Sequence, residues 1–363
     1  MKKRILAVTL AIAMVFSLVA CNQSKDDSAK EDEASKKEGA LETTTVRWNS
    51  GTSGNVLLTI AEAEGYFEDE GLTIENVSAD ANADAMALLA SGKVDVVSNS
   101  GTSNPLQQIA AGVDLTIFGG HMVTGCMPVV AKKGTVWNGS EDLIGKKFAC
   151  NPSYFAFTGA VMELGYDNPL EAVEWISYTD YNDALAAVVR GEVDYALMGT
   201  GQNYTVQNMD EVEVMCYQSD IMPNYSCCRM EAQTKFVEEN PNTVKAIIRA
   251  LLRAQSWYES NKEEAVKLHA KKINAEEDYV AAYMMDDEHY KVSVDPLKNS
   301  VVRAWEILDK TGFLDEKAKN VDISEHVNTE LYEEALKEAT EKYGKDNKEF
   351  YDKMQTFYNE NNK

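Results

Sequence analysis

The sequence predicts an α/β protein built as two lobes facing a shared crevice, and three observations carry that prediction. A stretch occurs twice: residues 84–95 read DAMALLASGKVD and residues 183–194 read DALAAVVRGEVD, sharing Asp84/Asp183, Ala85/Ala184, Ala87/Ala186, Gly92/Gly191, Val94/Val193 and Asp95/Asp194. Each copy reads as an Asp suited to N-capping, a short apolar helix, a Gly suited to its end, and Val-Asp opening a strand. Each strand then runs into uncharged small polar residues, SNSGTSN at 98–104 and MGTGQNY at 198–204. Finally, about 320 residues of globular composition are more than one simple core organises. Two α/β units with hydrogen-bonding groups at strand ends suit capture of a small molecule.

The chain opens with Lys2, Lys3 and Arg4, then an apolar run over 5–20 that suits a signal peptide. It closes on Leu18-Val19-Ala20-Cys21, which resembles the bacterial lipobox; that resemblance implies cleavage before Cys21 and its lipidation, with a palmitate-type acyl anchor. Residues 21–42 are charged, Ser/Ala-rich and free of aromatics, and read as a disordered tether.

The formal charge of the whole chain is −24. Such an acidic chain lacks the basic surface that nucleic acid needs. Six cysteines occur: Cys21, Cys126, Cys150, Cys216, Cys227 and Cys228. With Cys21 assigned to lipid, an odd five remain without CxxC spacing, which favours buried free thiols; a disulfide such as Cys126–Cys150 stays open.

The first lobe, expected over 43–126, begins with a strand over 44–49 that contains Trp48 and Asn49. A Ser/Gly/Thr turn with Thr52 and Ser53 follows, then a helix through Val56, Leu57, Ile60 and Ala61. The turn at the helix start offers backbone N–H groups to an anion or polar ligand. Next come EGYFEDEGL at 64–72, a strand over 72–77, the first repeat, and a helix ending near Gly112. A strand over 115–118 then meets a loop over 119–125 containing His121.

At EGYFEDEGL and the paired G-x-V-D units the chain resembles solute-binding lipoproteins of ABC importers. The group is the one that takes sulfonates, taurine, nitrate and thiamine-pyrimidine precursors. Over about 43–314 the resemblance implies a type II periplasmic-binding fold with two crossovers. A lobe over 127–220 is expected, then a return to the first lobe over 221–324. Residues 325–363 lie outside the resemblance and read as a C-terminal helical extension.

In the second lobe a strand leads to NPSYFAFTG at 151–159, where the resemblance places a ligand-touching turn. Its aromatics favour a larger, flatter ligand; Phe155 and Phe157 read equally as helix core, whereas Tyr154 reads as lining. Asp180 reads as a helix cap. The candidate lining is Trp48, Asn49, Thr52, Ser53, Ser100, Thr102, His121, Ser153, Tyr154, Thr200, Asn203, Tyr204 and Tyr225. It suits a neutral or singly anionic organic molecule.

No catalytic residue, cofactor or metal site is expected. The four histidines are dispersed, and Gly199-Thr200-Gly201 is only half of a dinucleotide fingerprint. The resemblance extends to thiamine-pyrimidine synthases, whose iron site uses a cysteine-rich motif reduced here to Cys227-Cys228-Arg229. The expected partners are the solute, an ABC permease with its cytoplasmic ATPase, and the membrane through the acyl chain, with the protein a monomer. A ligand-sensing receptor and an adhesion or scaffold lipoprotein are the alternatives of other classes.

Overall fold

Two sheets carry the chain, each with parallel strands interrupted by one antiparallel strand, and the first bears a second antiparallel strand at its edge. A computed structural model describes residues 39–51, 53–77 and 84–363. The expected leader, Cys21, most of the tether and Thr52 lie outside the described residues. In chain order the strands are β1 (Thr45–Asn49), β2 (Thr73–Asn76), β3 (Val96–Gly101), β4 (Leu115–Gly125), β5 (Pro128–Lys132), β6 (Lys147–Ala149), β7 (Glu174–Trp175), β8 (Tyr195–Leu197), β9 (Val212–Tyr217), β10 (Cys228–Gln233) and β11 (Tyr290–Val292). One sheet has the order β11-β4-β10-β3-β1-β2 and the other β7-β6-β8-β5-β9. Apart from β11 the two orders correspond, with β10 and β5 as the antiparallel insertions.

The repeat occupies equivalent places in both sheets, leading into β3 and β8. Asp95 accepts the Arg47 amide at 2.8 Å, and Asp194 accepts the Lys147 amide at 2.9 Å, so each copy ties its strand to the neighbouring one by the same contact. Gly92 and Gly191 both adopt positive φ, 68° and 74°. The copies differ at the helix start. Asp84 caps Ala85–Ala90 through the Met86 amide, whereas the second helix, Tyr181–Arg190, starts earlier and is capped by Asp180 rather than Asp183.

The chain crosses between sheets twice. The first crossover is the step from β4 to β5 at Cys126; the second runs from β9 through the short helix Gln218–Ile221 to β10. Cys126 (φ 50°), Asn224 (φ 49°) and Ser226 (φ 62°) hold left-handed backbone there without being glycine, a sparsely populated conformation that costs free energy and recurs at hinges and clamps.

The EGYFEDEGL segment has a structural explanation. Gly65 (φ 73°) and Gly71 (φ 78°) bracket the one-turn helix Tyr66–Asp69 in a conformation that L side chains rarely adopt. Between them Glu70 is buried and accepts from Arg249 (2.6 Å to Nη2), Lys342 (3.0 Å) and the Tyr343 hydroxyl (2.5 Å). That cluster ties the motif to the long helix Pro241–Ser260 and to Glu330–Tyr343 of the C-terminal extension. The extension's second helix, Lys348–Asn362, buries Phe350, Tyr351, Met354 and Tyr358 in the same core as Trp48, Leu57 and Ile247. Glu42, the last residue of the expected tether, binds the N-terminus of Pro241–Ser260 through the Thr243 amide at 2.9 Å.

Candidate ligand-binding site

The carboxyl ends of β1, β3, β6 and β8 converge with the second crossover on a cleft of about 500 Å³. Open α/β sheets bind ligands at such strand ends. One wall is aromatic: Tyr154, at the N-cap of the helix Phe155–Glu163, lies 3.2 Å hydroxyl-to-hydroxyl from Tyr181, which opens the second repeat helix. Tyr225 enters from the crossover and accepts the Gly125 amide at 2.8 Å. Tyr279 enters from the helix Glu277–Met284. Burial raises the pKa of Tyr154 and of Tyr181, so both phenols stay neutral.

Gly199 and Gly201 make room for this wall. A Cβ at Gly199 would lie 2.5 Å from the Tyr181 ring, and one at Gly201 would overlap the Tyr279 hydroxyl. The Gly-Thr-Gly run is therefore a pair of steric gaps for two rings. Across the cleft Ser103 Oγ donates to the Ser153 carbonyl at 2.7 Å and Gln207 reaches the Ala282 carbonyl at 3.3 Å, so the two halves touch at both edges.

Among the described residues the lining contains no Asp, Glu, Lys or Arg. Its polar groups are amides and hydroxyls, and the Oε1 atoms of Gln202 and Gln218 are buried without a hydrogen-bond partner. The helix start expected to offer N–H groups does not: Asn55 Oδ1 accepts from the Leu57 and Leu58 amides at 2.9 and 3.1 Å. Asn55 thus fills the place an anion would take at the N-terminus of Val56–Ala63.

A side chamber of about 310 Å³ continues from the cleft, sharing Ser53, Asn99, Met122, Thr200, Gly201 and Tyr279 with it. His121 and His269 line it. Burial pushes the His121 pKa down to about 3, helped by His269 and Arg229, and burial brings His269 to about 4. Both rings are neutral at pH 7. His269 meets the Ser53 carbonyl at 3.1 Å and Thr59 Oγ1 at 3.2 Å, whereas the ring nitrogens of His121 are fully enclosed, with the Ser98 backbone the polar group acting on them. A separate cavity of about 380 Å³ lies against the last helix, where Lys262 pairs with Asp287 and Lys353 with Glu259.

Of the residues expected from sequence, Ser53, Thr102, Ser153, Tyr154, Thr200 and Tyr225 line the cleft and His121 lines its chamber. Several of these also hold the frame: Thr102 Oγ1 donates to the Ser226 carbonyl at 2.5 Å, and Thr200 Oγ1 donates to the Gly125 carbonyl. Trp48 does not reach the cleft; it is fully buried beside Phe67 and donates to Ser98 Oγ at 2.8 Å. Asn49 is buried and donates to the Val77 carbonyl. Ser100 sits in β3 and accepts from Asn104. Asn203 donates to the Cys126 and Thr200 carbonyls, and Tyr204 is exposed on the outer surface. Phe157 packs against Phe148 in the core, while Phe155 lines the cleft.

The residues not anticipated are Tyr279, Gln218, Ser226, Cys227, Cys228 and Met127. They come from a helix face, strand ends and the crossover, where nothing local marks a lining position. All five cysteines among the described residues are free, so the Cys126–Cys150 disulfide does not form.

A family model described as NMT1/THI5 like matches residues 55–265. A curated relative, the 4-amino-5-hydroxymethyl-2-methylpyrimidine phosphate synthase of Schizosaccharomyces pombe, is 24% identical over 213 residues, 53% of this chain and 58% of that protein. The chain therefore spans under two thirds of the length of this relative. Among solved structures, the periplasmic aliphatic sulphonate binding protein SsuA of Escherichia coli matches with a TM-score of 0.64 at 18% identity, covering 76% of this chain and 90% of SsuA. The periplasmic nitrate-binding protein NrtA of Synechocystis PCC 6803 matches with a TM-score of 0.65 at 17% identity, covering 84% of this chain and 90% of NrtA. These likenesses establish the two-lobed periplasmic-binding fold expected from the sequence.

Proposed function

This chain belongs to the NMT1/THI5-like family, and from that premise we propose that it is the extracytoplasmic solute-binding component of an ABC importer. It captures a small, flat organic nutrient by lobe closure and delivers it to a permease driven by a cytoplasmic ATPase. The observation that carries this reading is a cleft between two sheets lined by tyrosines and amides and, among the described residues, by no charged one. Stacking and fixed hydrogen bonds would grip a neutral ring there. Contacts from both halves exist only when the lobes are near, so binding shifts the open–closed population. Lipidation of Cys21 would hold the protein on the outer face of the membrane.

The curated relative is a synthase, which favours a second reading. The donor set argues against it. Cys227 and Cys228 place their sulfurs 3.7 Å apart, and no group of three or more His, Cys, Asp or Glu among the described residues is placed to hold a metal. Two thiols do not fit an iron centre of that kind. A sensory receptor would use the same cleft; neighbouring genes for a permease and an ATPase separate it from an importer component.

The decisive experiment is a thermal-shift panel of sulfonates, nitrate, pyrimidines, flavin precursors and aromatic acids. A ligand at 100 times Kd adds about 2.7 kcal/mol of stability. Shifts by metal ions alone would refute the organic-ligand reading. Cys21→Ala is expected to release the protein from the membrane fraction, and continued retention would count against the anchor.

A further inference from the structure

Cys227 and Cys228 are neighbours in sequence, and their sulfurs touch at 3.7 Å. Successive side chains of a regular strand point to opposite faces. Here Ser226 is left-handed (φ 62°) and β10 shifts register against β4 just after Cys228, so the two thiols meet instead. The backbone that carries them is fixed. The Cys227 amide donates to the Val123 carbonyl at 3.1 Å, and the Cys227 carbonyl accepts the Thr102 amide at 3.0 Å. Both residues line the cleft, Cys227 half-buried and Cys228 buried. The hydrogen bond from Cys228 holds the Cys227 pKa down against the effect of burial, and the Tyr225 hydroxyl and Arg229 add to it. The other thiols differ: burial pushes Cys126 and Cys150 up, and it brings Cys216 to about 12. The thiolate is the nucleophile in sulfur chemistry, so Cys227 is the cysteine best suited to attack.

We propose that Cys227 and Cys228 are a reversible dithiol–disulfide site in the cleft wall, oxidised by a small uncharged disulfide that enters the cleft. Cys227 attacks as the thiolate: the S–S bond of the donor breaks, a mixed disulfide forms and one thiolate leaves. The Cys228 sulfur then attacks that of Cys227, forming the internal bond and expelling the second thiolate. The protons of the two cysteines end on the two small thiols released, so the donor gains the two electrons that the pair loses. Size and charge select the donor, because the cleft holds about 500 Å³ and its described lining bears no charge. The bond formed is easily reversed. Adjacent Cα atoms lie about 3.8 Å apart across a trans peptide, short of the usual disulfide span of about 4.4–6.8 Å. A strained disulfide is more oxidising than a structural one and returns readily to the dithiol. Oxidation also removes the thiolate that the Tyr225 hydroxyl bonds, so the redox state sets what this wall offers a solute. The site stands whichever solute the cleft takes.

The test places the folded full-length chain in mixtures of bis(2-hydroxyethyl) disulfide and 2-mercaptoethanol. Exchange is stopped with acid, the remaining thiols are alkylated with N-ethylmaleimide, and the peptides are mapped by mass. Trypsin and chymotrypsin together release residues 226–229, SCCR, which carry both cysteines and no other. This fragment is expected to lose two hydrogens as the disulfide fraction rises and to regain them in excess 2-mercaptoethanol, while Cys126, Cys150 and Cys216 are recovered alkylated. Cys228→Ser is expected to trap the mixed disulfide on Cys227, and Cys227→Ser to slow modification of Cys228 about tenfold or more. Recovery of the fragment with both thiols alkylated in every mixture would overturn the proposal, and that readout needs no variant to fold. So would a lasting mixed disulfide in the unsubstituted chain, a crosslink to another cysteine, or oxidation only after unfolding. Equal rates in the two variants, each with a single cooperative melting transition, would overturn the assignment of Cys227 as the attacking sulfur.

Discussion

Glycine 201 shows how one missing atom can shape a site. Its φ is not positive, so the position needs no special backbone; it needs space for Tyr279. Gly201→Ala should displace that ring and weaken binding of whichever ligand the panel identifies by about tenfold. Gly201→Ala combined with Tyr279→Phe removes the overlapped hydroxyl and should recover affinity; unchanged affinity in the single variant would sink the idea. The buried histidines make a pH prediction. Their folded pKa values, about 3 and about 4, lie below the ordinary histidine value, so the unfolded chain takes up protons first as pH falls. Their contribution to stability is therefore lost progressively from about pH 6.5 downward. Asp295 acts in the opposite sense. Burial raises its pKa to about 6, so its penalty grows as pH rises from about 4 to 6. His269→Gln should flatten the acid limb of a urea-unfolding profile measured from pH 4 to 7, and an unchanged limb would contradict the assignment.

At the scale of elements, the repeat was legible because each part of it is a local rule: a cap, an apolar helix face, a helix-ending glycine and a strand-opening Asp. The stretch 119–125 was not. It reads as a loop from its glycines, yet it continues β4 as fully buried strand. Gly119 and Gly120 are small because Met230, Arg229 and the backbone of Val294 and Asp295 press against them. Close packing and a tight turn both select glycine, and sequence alone does not separate the two causes. Trp48 was misplaced for a related reason: an aromatic at a strand end fits a cleft, but the alternation of β1 turns it with Val46 into the core. Glu70 looks like one more acidic surface residue in sequence, and only the fold brings Arg249, Lys342 and Tyr343 to it. Breaking a buried ion pair by removing one partner costs about 3 kcal/mol. Glu70→Ala should therefore lower unfolding stability by roughly that amount and loosen the extension, read as faster amide exchange in Glu330–Tyr343.

At the scale of the whole molecule, the C-terminal extension is part of the first core rather than an appendage. Tyr332, Leu336, Phe350 and Tyr351 are buried against the helix Pro241–Ser260 and its neighbours. Deleting residues 329–363 should expose that apolar face and produce a chain that aggregates on purification; a soluble, unchanged melting profile would show the helices to be dispensable. The cleft was legible as a place between two lobes and as an uncharged lining. The particular side chains were less so, because Tyr279 and Gln218 reach it from elements distant in sequence.

The place of β10 between β3 and β4 also sets an order of assembly. All five strands of the second sheet come from one continuous stretch, Pro128 to Tyr217, and can pair as soon as that stretch exists. The first sheet begins 83 residues earlier, at Thr45, but has a gap at its centre until Cys228–Gln233 arrives. Bridging more than 100 residues delays a strand pair, since loop closure precedes the reward of contact. Pulse-labelled hydrogen exchange during refolding should therefore find β5, β6 and β8 protected before β3 and β4. In a chain made from its N-terminus, the half that starts first would finish last, with its central strand edges open until the other half is complete.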